Sequence, residues 1–215
     1  MFRLLFLVAL LQFHQPVFST EDTVSQAVAR YLTRIHKYME DEDWINAKRE
    51  LEVTARRYFK NEDSYERALI NQLYGQFYAL QRDYKNAIPW FEKAIAKGRL
   101  PFAADLQVSY SLAQCYFQTG RYKDVIATLE NYRDKASKRG QNMAPIQLML
   151  LGIAYYQEQD TLNAYLNIAE ANATATKLNE EWLQYEFALA VKLEKYDDAV
   201  RVGQFLICLL YTSPS

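Results

Sequence analysis

The chain has 215 residues, 50% of them hydrophobic and 24% charged, with a formal net charge of −1. Those proportions describe a folded chain with enough apolar content for a continuous core, and 6 Gly with 5 Pro are too few for a turn-rich all-β domain. The basic residues are scattered, which argues against nucleic acid as a partner, since that needs a concentrated positive surface.

The amino terminus reads as a targeting segment. Arg3 precedes an unbroken apolar run over 4–11, and Val17-Phe18-Ser19 supplies a cleavage point. Residues 1–19 are therefore expected to be a secretory signal peptide, cut after Ser19. A run of about eight apolar residues falls short of the roughly 20 that span a bilayer, so an uncleaved anchor is the weaker alternative. No cysteine follows the run, which disfavours a lipoprotein. The mature chain is expected to be exported, periplasmic or secreted, with no membrane insertion after cleavage.

A repeat domain is expected over 24–206. Four segments repeat one another: Asp43-Trp44-Ile45-Asn46-Ala47, Asp83-Tyr84-Lys85-Asn86-Ala87, Arg121-Tyr122-Lys123-Asp124-Val125 and Lys195-Tyr196-Asp197-Asp198-Ala199. A weaker copy, Thr161-Leu162-Asn163-Ala164, lies between the third and fourth. The anchors Ala47, Ala87, Val125, Ala164 and Ala199 stand 40, 38, 39 and 35 residues apart, the period of stacked helical hairpins that cannot bury their apolar faces alone. Upstream of the anchors recur Leu73-Tyr74-Gly75-Gln76-Phe77-Tyr78, Leu112-Ala113-Gln114-Cys115-Tyr116 and Leu151-Gly152-Ile153-Ala154-Tyr155. Downstream, Phe91 and Ala94, Leu129 and Tyr132, and Ile168 and Ala171 keep helical spacing. Gly75, Ala113 and Gly152 allow close helix approach, and Tyr78, Tyr116 and Tyr155 are expected to fill the space between consecutive hairpins.

Between these anchors, individual residues carry little chemistry. Glu40-Asp41-Glu42-Asp43 lacks the spacing and glycine of an EF-hand loop and reads as the turn of the first hairpin. Pro89 is expected in the first turn of a helix and Pro145 at the start of another. Cys115 takes a small core position, where a thiol packs as an inert hydrophobe. Lys135, Lys138 and Arg139 read as a solvated loop. Asn172-Ala173-Thr174 is a glycosylation sequon, meaningful only in a host that glycosylates exported proteins. Without His14, which lies in the leader, His36 is the single histidine and reads as an ordinary exposed one. Zinc sites are excluded by ligand count, no Gly-rich phosphate loop exists, and no catalytic residues, cofactor or metal site are expected. The tail 208–215 looks like translated sequencing-adapter DNA, TGT CTC TTA TAC ACA TCT CCG AGC, and is set outside the fold. That origin implies environmental, microbial DNA and a chain that continues further.

The two recurring elements together resemble the tetratricopeptide repeat, matching its Leu-Gly-x-x-Tyr and Tyr-x-x-Ala-x-x-x-Phe patterns over roughly residues 28–206. The resemblance implies an all-α, right-handed solenoid of about five helix hairpins, without strands, four complete and the fifth truncated. Departures are Ile35 and Phe187 at the small position of the first helix, Val125 for alanine, and no closing proline. Longer linkers around 60–64, 97–102 and 135–142 take the proline's place, so the first and last units are expected to pack less ideally. In such arrays the first helix of each pair lines a concave groove. That geometry puts Gln72, Gln76 and Ala79, then Tyr110, Gln114 and Phe117, then Met149, Ile153 and Tyr156 on one stripe. Such a lining suits an extended or helical peptide and lacks the Lys, Arg and Asn set of a carboxylate clamp. The alternative is that some of these side chains pack against a flanking helix.

Three further stretches are similar to exported repeat proteins that accompany TonB-type energy-transduction systems. They are Tyr65-Glu66-Arg67-Ala68-Leu69, Tyr110-Ser111-Leu112-Ala113-Gln114 with Gly120-Arg121-Tyr122, and Glu180-Glu181-Trp182-Leu183-Gln184-Tyr185. This likeness implies a non-catalytic periplasmic accessory that binds a protein or peptide, with a TonB-system component as the partner. Two other classes stay open: a scaffold for pilus, envelope or cell-wall assembly, and the repeat region of a larger enzyme.

Overall fold

Ten helices form five consecutive pairs in the computed structural model, which describes residues 26–58 and 64–212. The pairs are α1 (Gln26–Glu40) with α2 (Trp44–Tyr58), α3 (Tyr65–Leu80) with α4 (Tyr84–Ile95), and α5 (Phe102–Gln118) with α6 (Tyr122–Ser137). They continue as α7 (Pro145–Gln157) with α8 (Thr161–Thr174), and α9 (Glu180–Lys192) with α10 (Tyr196–Thr212). No strand occurs among the described residues. The leader 1–19 lies outside the described residues, as does most of the first linker. The fifth pair, expected to be truncated, has a second helix of 17 residues that takes in Cys208 to Thr212.

One turn geometry joins all five pairs. The N–H entering each second helix reaches back to the last turn of the first: Asp43 to Tyr38 O (2.8 Å), Asp83 to Tyr78 O (2.9 Å), Arg121 to Tyr116 O (2.9 Å), Asp160 to Tyr155 O (3.0 Å), and Lys195 to Ala190 O (2.9 Å). Closing a helix this way needs one left-handed residue. Gly120 supplies it in the third turn (φ 73°), whereas Glu42 (56°), Arg82 (61°), Gln159 (65°) and Glu194 (58°) supply it with a Cβ. Asparagine explains the polar part of the repeated motif. The Asp43, Asp83 and Asp160 carboxylates accept from the backbone N–H and side-chain amide of Asn46, Asn86 and Asn163, capping their helices. The third turn substitutes an Arg121–Asp124 pair at 2.6 Å. Replacing Gln159 by Gly should relieve the left-handed strain of a side chain and raise stability by about 0.5–1 kcal/mol, after the entropy that glycine adds to the unfolded chain. A melting temperature that falls instead would show that Gln159 makes contacts worth more than its strain.

Within each pair the seam is set by side-chain size at two positions sixteen residues apart. Gly75 faces Phe91 and Gly152 faces Ile168, so that a Cβ on either glycine would sit 2.5 Å and 2.6 Å from its neighbour. Ala113 and Leu129 occupy the same places in the third pair, both fully buried. The fifth pair exchanges the sizes between its helices: Phe187 lies on α9 and Gly203 opposite on α10, with room for a Cβ at 3.5 Å from the ring. The first pair carries two large residues, Ile35 and Leu51, and buries both completely. Ile35 therefore costs the first unit no burial, while Phe187 remains 39% exposed. Ile35, Leu51, Leu73 and Phe77 centre a core around α1 to α3, and a larger core runs on from α3 to α10.

Tyrosines tie consecutive pairs together, as their repeat position suggests. Tyr116 of α5 donates to Glu92 of α4 at 2.6 Å, and Tyr155 of α7 donates to Glu130 of α6 at 3.0 Å. Burial, then these carboxylates, push both phenols upward, Tyr155 to about 12, so both stay protonated donors. At the last junction Tyr165 of α8 instead donates to Asp198 of α10 at 2.6 Å.

Several single-residue expectations need correction. Pro89 lies in the second turn of α4, where its missing N–H is an interior one. Pro145 does begin α7. Lys135 lies in α6 and pairs at 2.7 Å with the buried Asp105 of α5, and Arg139 stacks on Phe102 at 4.3 Å. Lys138, 70% exposed at its side chain, and Arg139, exposed in the turn after α6, keep the solvated character expected of the set. The sequon asparagine Asn172 is 8% exposed in α8, with its amide on Glu186 at 2.8 Å and Trp182 O at 3.1 Å. In the folded chain it is sealed from a glycosylating enzyme. The Tyr65-Glu66-Arg67 and Glu180-Glu181-Trp182 stretches start α3 and α9, where Ser64 and Asn179 cap the N–H groups of Arg67 and Trp182, each at 3.1 Å.

Candidate peptide-binding face

The first helix of each pair carries its conserved-size seam on one side and a second stripe, offset by one residue, on another. Among the first helices, α5 touches α7 as well as its own partner α6, so the offset stripes of these two helices are neighbours. On α3 this stripe holds Gln72 and Gln76, both half-buried, and Ala79, 8% exposed. The side-chain oxygens of both glutamines lack a hydrogen-bond partner.

On α5 the stripe holds Tyr110, Gln114 and Phe117, all half-buried. Burial above all, with Tyr132 nearby, pushes the Tyr110 phenol up to about 12, and a hydrogen bond with Gln114 opposes the shift. Tyr110 is accordingly a neutral donor and acceptor at any physiological pH. Phe117 meets Tyr122 edge to face at 5.5 Å, which fixes its ring at the end of α5.

On α7 the expectation divides. Tyr156 is 43% exposed, with the Lys192 ammonium 5.9 Å from its ring centre. Met149 and Ile153 are 1% and 3% exposed and belong to the core, so neither is a surface contact. Tyr110 and Phe117 of α5 and Tyr185 of α9 pack against the same core, and α5 touches α7. The reading that some stripe residues pack against a flanking helix thus holds for these two. Sequence reasoning passed over Gln107, Gln118, Gln157 and Gln184, all exposed on first helices. Their offset from Ala113, Gly152 and Phe187 was the available signal.

His36 is half-buried rather than exposed, and burial lowers its pKa while Glu40 opposes the shift. Cys115 is 2% exposed and burial pushes its thiol up to about 12, which removes the thiolate that reactivity requires. Among the described residues no group of three His, Cys, Asp or Glu side chains is placed to hold a metal, and no helix is long and apolar enough to cross a membrane.

Comparison with known proteins places the fold. Residues 80–142 match the family model of the anaphase-promoting complex, cyclosome, subunit 3. No curated protein matches the sequence. Among solved structures, the chain is similar to MamA from Desulfovibrio magneticus RS-1, residues 41 to its end. There the identity is 18% over 90% of this chain and 100% of that one, with a TM-score of 0.67. A tetratricopeptide repeat protein from Parabacteroides merdae ATCC 43184 aligns at 15% identity over 87% of this chain and 68% of that one, with a TM-score of 0.65. PilW, described as a widely conserved type IV pilus biogenesis factor, aligns at 17% identity over 88% and 96%, with a TM-score of 0.54.

Proposed function

From a fold that is tetratricopeptide-type through all five helix pairs, we propose that this chain is a non-catalytic interaction module that holds a polypeptide partner along its first helices. The observation that carries the proposal is the stripe of Gln72, Gln76, Tyr110, Gln114, Phe117 and Tyr156, which combines aromatic anchors with amides. Aromatic side chains held by their neighbours lose little freedom on binding, and amides adapt to donors or acceptors. The proposed location is the periplasm or the exterior, on the strength of the leader-like segment 1–19, and amino-terminal sequencing of the exported protein tests it.

The Tyr110→Ala/Phe117→Ala double variant tests the site. Partner affinity should fall by about 1–2 kcal/mol or more if the two rings are anchors. The melting temperature should change less than in variants at the seam glycines, because both rings are only half-buried and their removal overpacks nothing. Unaltered binding would move recognition off this face, and an unfolded variant would make the stripe part of the core.

We further propose a component of a TonB-type system as the partner, supported by the likeness of the Tyr65-Glu66-Arg67 and Glu180-Glu181-Trp182 stretches to its exported accessories. The similarity in fold to PilW favours a second reading, an accessory to pilus or envelope assembly. Pull-down from a periplasmic extract, with identification of the bound protein, decides between them.

A further inference from the structure

We infer that the first-helix face recognises an uncharged, extended polypeptide segment, through its main chain and apolar side chains, with almost no electrostatic contribution. This rests on the reading that the face binds a polypeptide, and it specifies which kind.

Charge is unevenly distributed along the three middle first helices. Take the positions six and three before, and one, four and five after, each of Gly75, Ala113 and Gly152. None of these fifteen residues is Asp, Glu, Lys, Arg or His, although 24% of the chain is charged and a quarter of any random set would be. In these three pairs exposed charge sits on the second helices, at Lys85, Lys93, Lys123 and Asp134, while the first helices at the two ends keep exposed charges of their own, Arg34 and Lys37 on α1 and Glu181 and Lys192 on α9. In their place the face carries Gln72, Gln76, Gln107, Gln114, Gln118 and Gln157, of which Gln107, Gln118 and Gln157 are exposed and the other three half-buried. Apart from the Lys192 ammonium over the Tyr156 ring, a charged partner would gain no opposite charge on this stretch to repay its desolvation, whereas an amide and aromatic lining satisfies neutral groups.

The glutamines also discriminate between backbone conformations. The Gln72 and Gln76 side-chain oxygens are covered and unpaired in the free protein, an unfavourable state for a buried acceptor. The terminal amide torsion is broad and two-fold, so a small rotation turns either oxygen toward a ligand. A helical peptide has already committed its main-chain N–H groups to its own carbonyls. An extended segment presents its N–H groups free, and it alone offers these oxygens regularly spaced donors.

The test begins with a random peptide library displayed against the purified chain. The selected peptides should be depleted in Asp, Glu, Lys and Arg. Their Kd should change less than about twofold between low salt and about 0.5 M NaCl, where screening has removed most exposed charge interactions. Gln76→Ala and Gln114→Ala should each weaken binding by about threefold to tenfold, one hydrogen bond's worth, and Gln76→Ala should not lower the melting temperature, because its oxygen has no partner in the free protein. Gln114→Lys should create a preference for acidic peptides and a salt dependence that the parent chain lacks. Charge-rich selected peptides, a strong salt dependence in the parent, or binders that are helical by circular dichroism overturn the inference. Where such peptides are still lost by Tyr110→Ala/Phe117→Ala, the face remains the binding site and only its chemistry has been misassigned. Peptides that bind that double variant unchanged overturn both readings, as does a library that yields no binder.

Discussion

Gly75→Leu is expected to destabilise the chain by about 3 kcal/mol, the upper end of what overpacking costs, and Gly152→Leu by a similar amount. A Cβ on Gly75 alone would stand 2.5, 2.6 and 2.8 Å from three carbons of the Phe91 ring, so even the first added atom meets the whole edge of a buried aromatic. Phe91 is 1% exposed and has nowhere to turn. At Gly152 the obstacle is partly backbone: Ile168 Cγ1 lies at 2.6 Å, Ala164 O at 3.2 Å and Asn167 Cβ at 3.3 Å. A carbonyl oxygen inside a helix cannot step aside as a side chain does. Urea or thermal denaturation measures both effects, and a second experiment separates overpacking from other damage. Gly75→Ala combined with Phe91→Leu should recover much of the loss of Gly75→Ala, because the pair's combined volume is what the seam limits. Unchanged melting of both leucine variants would mean that these helices do not meet at this register.

The fold was legible in the sequence because the determining features recur. A glycine or alanine twelve residues before an anchor alanine is weak evidence once and strong evidence in register across several copies. The same repetition allowed the seam positions, the intervening tyrosines and the turns to be placed before any contact was visible. What escaped was pairwise compensation. Phe187 looked like a defect because the repeat wants a small residue there, yet the small residue had moved across the seam to Gly203. Ile35 looked like a second defect, and the first pair buries it fully beside Leu51, although the helices of the first and fifth pairs do meet less extensively than those of the middle three, as expected.

The candidate face was only partly legible, for a related reason. Helical spacing assigns Met149 and Ile153 to the same stripe as Tyr156, and they do share it. Whether a stripe is open depends on how closely the neighbouring first helices approach, and α5 reaches α7. That distance is a property of the superhelix and not of either helix, so the pattern within one repeat carries no record of it. Asn172 illustrates the same limit. Its sequon is a three-residue signal, whereas its burial against Glu186 and Trp182 is set by residues ten and fourteen positions away.

Arg201→Met is expected to cost about 3 kcal/mol, the low end of what breaking a buried ion pair costs, because Arg201 is itself half exposed. Its partner Glu186 is 2% exposed in α9 and bonds in two directions: one carboxylate oxygen takes Arg201 Nη2 of α10 at 2.9 Å, the other takes Asn172 Nδ2 of α8 at 2.8 Å. Three helices thus converge on one buried carboxylate, and removing the guanidinium leaves its charge without a counterion. The methionine keeps the aliphatic bulk of the arginine stem, so the loss reports charge more than packing. In a solenoid each unit leans only on its neighbours, so the damage should stay local. Hydrogen exchange should therefore accelerate through α9 and α10 well before α3 to α6 respond. Glu186→Gln/Arg201→Met should recover most of the stability, since a neutral amide can still accept from Asn172 while asking for no counterion. If the single variant melts and exchanges like the parent, the carboxylate is reached by water and the α8–α9–α10 junction is not held by this pair.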